Sequence, residues 1–267
     1  MKNCKRNMAA ISVSLRLARR ALRQNLLSTL VAVFTVSLSG GLFLGAWKTK
    51  QSVKLAFAHS AGGFDAVLGA RGSQLQLVLN ALFHLENSPG HLDWEQYETI
   101  RSHPGVSEAY PFALGDNYLG YRLVGTMPEL FLNHQWKSGT NYQVRSPGRI
   151  FSESAKEALV GAEVARELGL QLGDRFHPYH GLEYNPDRKH NDIYLVVGIL
   201  EPTGTPTDQV IWIPLRGVQT MEGHDPEEAN SISGVLLNLK GSSGLALDAK
   251  YNKKGDRATL ALPVPAI

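Results

Sequence analysis

Hydrophobic and polar positions divide this chain unevenly. From Leu26 to Trp47 run 22 residues without a charged side chain, LLSTLVAVFTVSLSGGLFLGAW. The first 24 residues hold seven Lys or Arg and no acid. Beyond residue 48 the pattern changes to short apolar segments punctuated by Gly, Pro, Asn and Ser. The first pattern suits a bilayer and the second a globular core.

About 20 apolar residues, rising 1.5 Å each, cross a hydrocarbon core of ~30 Å. A secretory signal carries a shorter apolar stretch, roughly 7–15 residues, followed closely by a small-x-small cleavage site. Ala56-Phe57-Ala58 has that form, but Lys48, Lys50 and Lys54 stand between it and the apolar run. An uncleaved transmembrane helix is therefore expected over residues 25–47. Seven basic residues before the span against three shortly after it place the N-terminus in the cytoplasm and the rest outside. Within residues 1–24, Ile11, Leu15, Ala18 and Leu22 recur at helical spacing, largely opposite Arg16, Arg19, Arg20 and Arg23. That fits an amphipathic helix on the inner leaflet, and it equally fits charges that only fix topology. Ser37, Ser39, Gly40 and Gly41 inside the span permit close approach of other helices.

After a break at Gly62-Gly63, the pattern predicts a strand over 64–68. A helix from Gln74 to Leu85 follows, capped by Ser73, with Leu75, Val78, Leu79, Leu82 and Phe83 on its inner face. Asp93 caps a second helix with Trp94, Tyr97 and Ile100 inward. Residues 106–124 alternate as strands interrupted at Gly115-Asp116-Asn117. A strand at 158–161 leads to a helix over 162–168, which Gly169 terminates. Further strands are expected at 170–176, 193–200, 210–215, 233–239 and 258–262, with a helix over 242–251. Helices and strands mix without βαβ alternation, so the expected class is α+β: one N-terminal transmembrane helix and a mixed extracytoplasmic domain of two subdomains. That domain is assigned to residues 48–267, with an inserted subdomain at about 135–225.

Charge changes the picture once it is located. The net +3 and pI near 8.9 come from the N-terminal tail, since residues 25–267 hold 20 basic and 24 acidic groups. A mildly acidic domain excludes a nucleic-acid surface, while the tail suits anionic lipid. Cys4 is the only cysteine, so no intrachain disulfide forms.

Catalytic motifs are missing: there is no Walker A pattern, HExxH, GxSxG or CxxC, and no enzyme activity or cofactor is expected of this chain. Gly69-Ala70-Arg71-Gly72-Ser73 lacks the phosphate-binding Lys and reads as a structural turn. The densest polar constellation is His177, His180, Glu183, Asp187, His190 and Asp192. Imidazole and carboxylate suit a divalent metal, with His177, His180 and His190 as candidate ligands. Solvated loop side chains explain the same pattern, because no pair has a tight helical ligand spacing.

Three stretches together resemble the MacB-, LolC- and FtsX-like ABC transporter permeases. ALVGAEVARELGLQLGDRF (158–176) is similar to that family's LG.ELA..LGL..GD signature, and IYLVVGILEPTGTPTDQVIWIPL (193–215) to its VVGVL.PTGTP.D segment. The basic, amphipathic start resembles the family's opening. The resemblance implies a permease subunit with a MacB-like periplasmic core domain, in the bacterial inner membrane. Its implied partners are an ABC ATP-binding subunit, which holds the ATP, and a second permease copy, as homodimer or heterodimer. ATP hydrolysis would move the outer domains to export or extract a substrate. Three more spans are implied after ALPVPAI, so a truncated frame, a fragment or a split protein is expected. An anchored binding or adaptor module is the alternative, and a metal-dependent enzyme a third.

Overall fold

A single mixed β-sheet organises the domain that follows the apolar helix. The computed structural model describes residues 16–221 and 230–263, and within these the side chains of residues 54–59 are left aside. Residues 16–24 are helical, and α1 (Leu26–Ser60) follows. The next elements are β1 (Ala66–Ala70), α2 (Gln74–Ala81), β2 (Leu92–Asp93), α3 (Trp94–Arg101), β3 (Val106–Tyr118), β4 (Tyr121–Thr126) and α4 (Glu129–Asn133). Then come β5 (Gln135–Lys137), β6 (Thr140–Asn141), β7 (Glu157–Val160), α5 (Ala162–Leu168), β8 (Arg175–Phe176), β9 (Tyr179–His180), β10 (Tyr194–Ile199) and β11 (Ile211–Pro214). The last are α6 (Leu215–Gln219), β12 (Ser231–Ile232), β13 (Gly234–Leu239), α7 (Ser243–Tyr251) and β14 (Ala258–Ala261).

The chain divides into two compact units, Met1–Lys54 and Leu55–Ile267. In the second, the sheet order is β14-β1-β13-β3-β4-β11-β7-β10-β8, with β9 added to β3. β4 with β11 and β7 with β10 are parallel, and the other pairs of that path are antiparallel. This is the expected α+β class. The segment 135–225 supplies β7, β8, β10 and β11, so the expected subdomains share one β-layer.

Strand residues alternate between two cores because successive side chains point to opposite faces. Leu68, Leu123, Val160, Ile211, Ile213, Val235 and Leu237 face one core, which α3, α5, α6 and α7 close with Tyr97, Ile100, Val164, Val218 and Leu247. Val67, Val124, Leu159, Trp212 and Leu236 face the other, closed by Leu77 and Val78 of α2, Phe131 of α4, and Phe64, Tyr142 and Phe151. Both faces being covered explains why VLGA, ALV and IWIP read as continuous apolar runs rather than alternating ones. Each such buried side chain contributes about 1.5–3 kcal/mol.

Several expected elements shift. The Ser73 cap forms, its Oγ accepting from the Gln76 amide, but α2 stops at Ala81, Leu75 is exposed and Leu77 is buried in its place. Residues 170–176 are mostly turn rather than strand, because the Asp174 carboxylate accepts from the Gln171 amide at 2.7 Å; only Arg175–Phe176 pair. The break expected at 115–117 is a β-bulge: β3 runs through it, the register slips between Leu114 and Asp116, and the hairpin turns at Leu119-Gly120.

Candidate functional site

The apolar helix is the first functional surface. Leu26–Val53 is 28 residues long, and its most apolar 18-residue stretch has a mean hydropathy of 1.9 and is wholly unburied. At 1.5 Å per residue it reaches about 42 Å, beyond the ~30 Å hydrocarbon thickness. Its exposed residues are apolar all round, which in a helix calls for a bilayer or a protein interior. Thr29 and Thr35 return their hydroxyls to the carbonyls of Asn25 and Val31, at 2.9 and 2.8 Å, so neither presents an unsatisfied donor to lipid. Gly40, Gly41 and Gly45 have open space above them, which leaves a smooth surface for a neighbouring helix. Cys4, Ile11 and Leu15 lie outside the described residues.

The domain's first residues are pinned to the sheet. The Asn238 side chain donates to the Gly63 carbonyl at 2.9 Å, and the Leu239 amide donates to Asp65 at 2.8 Å. His134 stacks on Phe64 with ring centroids 4.0 Å apart, and its Nε2 lies 2.7 Å from the Gly62 carbonyl oxygen. Burial lowers the pKa of His134, against opposing contributions from the Gly62 hydrogen bond and Glu108. Gly63 sits at φ +84°, where a side chain would be strained.

The two sequence stretches 158–176 and 193–215 meet in space. Gly161 ends β7 and precedes α5, and its amide donates to the Val210 carbonyl at 3.0 Å. A Cβ on Gly161 would stand 2.5 Å from the carbonyl carbon of Asp208 and 2.8 Å from the oxygen of Thr207. The Pro206–Gln209 turn therefore lies directly on this glycine. The buried Asp208 carboxylate holds that turn, accepting from the amides of Thr203 and Gly204 and from the Thr203 hydroxyl at 2.8–3.1 Å. Trp212 Nε1 and the Thr207 carbonyl close the far side at 3.3 Å. Scaffold, not chemistry, is what these residues supply.

One cluster has metal-ligand chemistry. β9 joins β3 so that His180 faces Asp116 directly, which puts their side chains on one face. The bulge at Gly115 re-aims Asp116, and the Gly181 amide donates to the Gly115 carbonyl at 2.9 Å. Asn117 ties the following loop down, its amide donating to the carbonyls of Gly181 and Glu183 at 2.8 and 3.1 Å. A bridge between Tyr179 and Lys189 and the His190 amide bond to the Pro178 carbonyl bring His190 back beside β9. His190 Nε2 then lies 3.1 Å from Asp116 Oδ1, and His180 Nδ1 lies 3.6 Å from the same oxygen. Asp116 is fully buried, His190 nearly so, and the His180 side chain is 43% exposed. Burial pushes the phenol of Tyr194 up, and the charges of Asp192 and Asp116 add to the rise.

Of the residues picked from the sequence, His180 and His190 converge, while His177 stays aside with its Nδ1 3.1 Å from the His190 carbonyl oxygen. Glu183 lines an adjoining cleft, Asp187 sits in a 3₁₀ turn, and Asp192 pairs with Lys156. Asp116 was not among the candidates, for nothing in the local sequence links it to a loop some 64 residues on.

Comparison with known proteins gives one family. The model described as "MacB-like periplasmic core domain" matches residues 25–249. Among solved structures, the periplasmic region of MacB from Actinobacillus actinomycetemcomitans is 11% identical, with a TM-score of 0.46 over 76% of this chain and 91% of that one. The extracellular domain of the noncanonic ABC-type transporter YknZ from Gram-positive bacteria is 16% identical, with a TM-score of 0.41 over 73% and 97%. No curated protein matches the chain.

Proposed function

The chain belongs to the MacB-like periplasmic core domain family, and on that premise we propose that it is the permease subunit, or the N-terminal part of one, of an ABC transporter. The observation that carries this reading is the family match running without a break from the apolar helix through the sheet domain, over residues 25–249. In this reading Leu26–Val53 crosses the inner membrane with the basic tail in the cytoplasm, and the sheet domain works outside. ATP binding and hydrolysis fall to a partner subunit, and a second permease copy packs beside the glycine surface of α1. Gly63, Phe64 and Asp65, the residues that lead into the sheet, are held by bonds to β13 and by stacking on His134. The substrate would be exported or extracted by movement of the paired outer domains.

Affinity purification of the full chain from membranes, with identification of what accompanies it, tests the proposal. An ABC ATP-binding subunit is expected in the eluate. Its consistent absence, with the chain intact and membrane-bound, overturns the permease reading in favour of an anchored adaptor.

A further inference from the structure

We propose that Asp116, His180 and His190 form a site for one divalent transition metal, zinc foremost, with a water as the fourth ligand. The inference is independent of the transport reading. Each residue offers one ligand atom, and the three atoms all lie within 4.8 Å of one another. Zinc bonds of about 2.0–2.1 Å in tetrahedral geometry place neighbouring ligand atoms about 3.3 Å apart. The 3.1 Å and 3.6 Å separations from Asp116 Oδ1 bracket that value. A hydrogen-bonded Asp–His pair explains His190 alone. His180 Nδ1 stands 3.6 Å from the same oxygen, beyond a hydrogen bond and within ion-pair range, a separation that equally suits two ligands of a shared ion.

The ligand set points to the metal class. Two imidazole nitrogens and one carboxylate oxygen suit zinc or a neighbouring first-row ion, whereas magnesium and calcium favour all-oxygen shells. Coordination through His180 Nδ1 and His190 Nε2 leaves the proton of each ring on its other nitrogen. The dication would also offset the charge of a carboxylate that the fold has removed from water.

The surroundings give the site rigidity on one side and access on the other. Asp116 stands on a central strand, and Asn117 and Gly115 hold the 179–183 backbone against it. Half-exposed His180 borders a cleft of about 510 Å³ lined also by Gly181, Glu183, Tyr184, Asn185 and Arg188. Entry would run through this cleft past His180, and a water would fill the fourth position. Closing the shell asks only for a small shift of His180, the ligand with freedom to move. Once bound, the metal would clip the loop of residues 177–192 to β3.

The test uses the full chain in detergent, purified on a histidine-free tag, stripped with a chelator and dialysed against zinc. Elemental analysis should find one zinc per chain. His180→Ala should weaken zinc binding by at least ~100-fold with the far-ultraviolet spectrum unchanged. His177→Ala should still bind one ion. Should His180→Ala fail to fold, cobalt(II) titration of the wild-type chain decides: d–d absorption of a four-coordinate site without a thiolate charge-transfer band supports the assignment. Wild-type chain that retains no stoichiometric zinc, His180→Ala that retains it equally, or a thiolate band implicating Cys4 overturns it.

Discussion

Gly161→Ala is the substitution on which the scaffold reading turns, because two physical effects give it opposite signs. Gly161 has φ −61° and ψ 148°, a conformation alanine adopts without strain. If space above it were open, alanine would stabilise the fold by about 0.4–1 kcal/mol through the unfolded chain's lost entropy. The space is not open, since the new methyl would stand 2.5 Å from the Asp208 carbonyl carbon and 2.8 Å from the Thr207 oxygen. Both neighbours are backbone, so the whole 203–209 turn has to lift by about 1 Å to reach ordinary contact distance. Overpacking of this kind costs about 1–3 kcal/mol. The displaced turn also loosens the bonds from Trp212 Nε1 to Thr207 and from the Gly161 amide to Val210, each worth about 1 kcal/mol. A net loss of about 2–4 kcal/mol follows, a large share of the roughly 5–15 kcal/mol that holds a typical domain. Equilibrium urea unfolding of the detergent-solubilised chain measures it, with tryptophan fluorescence as the signal and buried Trp212 as the local reporter. The midpoint should fall with the slope unchanged. A midpoint equal to or above wild type would refute the packing of Gly161 against the Asp208 turn.

Other outcomes are expected on the same grounds. Gly169→Ala should cost only about 1 kcal/mol in the same unfolding assay, because its φ of +67° is the sole obstacle and nothing lies within 4 Å of a new Cβ. The pKa of His84 is lowered to about 3 by burial and then by Arg122, so the ring stays neutral in the fold while the unfolded chain protonates near 6.5. Its contribution is complete above pH 6.5 and is lost by about 1.4 kcal/mol per pH unit as pH falls toward 3. His84→Asn, which tolerates the φ of +55°, should flatten that part of the stability–pH curve; an unchanged curve would discard the assignment. Gly41→Ile should leave membrane insertion intact but reduce recovery of partner subunits in affinity purification, since it fills the open surface of α1.

Elements were legible where local chemistry alone decides them. The Ser73 cap and the Gly169 terminus form from neighbouring residues alone, and the β-branched runs of β10 and β11 mark strands whatever their partners. The helix runs on past the expected span of 25–47 to Ser60, just short of the break expected at Gly62-Gly63, because a span's helix need not stop where the hydrocarbon does. Leu77 displaced Leu75 from the core because the phase of a two-turn helix is set by what it packs on, here the strand carrying Gly69. Gly115-Asp116-Asn117 read as a break because polar residues rarely sit in a ladder. They sit there because β9 covers them, a fact that belongs to strand order and not to the local sequence. For the same reason two of the three metal ligands were visible and the carboxylate was not. His180 and His190 stand out in a polar loop, but only the pairing of β9 with β3 makes Asp116 their neighbour.

The proposed function requires one uncleaved helix with the sheet domain outside the membrane and the basic tail within. Cys4 is the chain's only thiol, and Lys253 is exposed on the domain, so the two sides can be read with one reagent. A membrane-impermeant maleimide applied to intact cells, or to spheroplasts where an outer membrane intervenes, should label a Cys4→Ser, Lys253→Cys chain at full-length mass. It should leave the wild-type chain unlabelled until the membrane is opened. Labelling of Cys4 in intact cells, or protection of residue 253, would contradict the central claim.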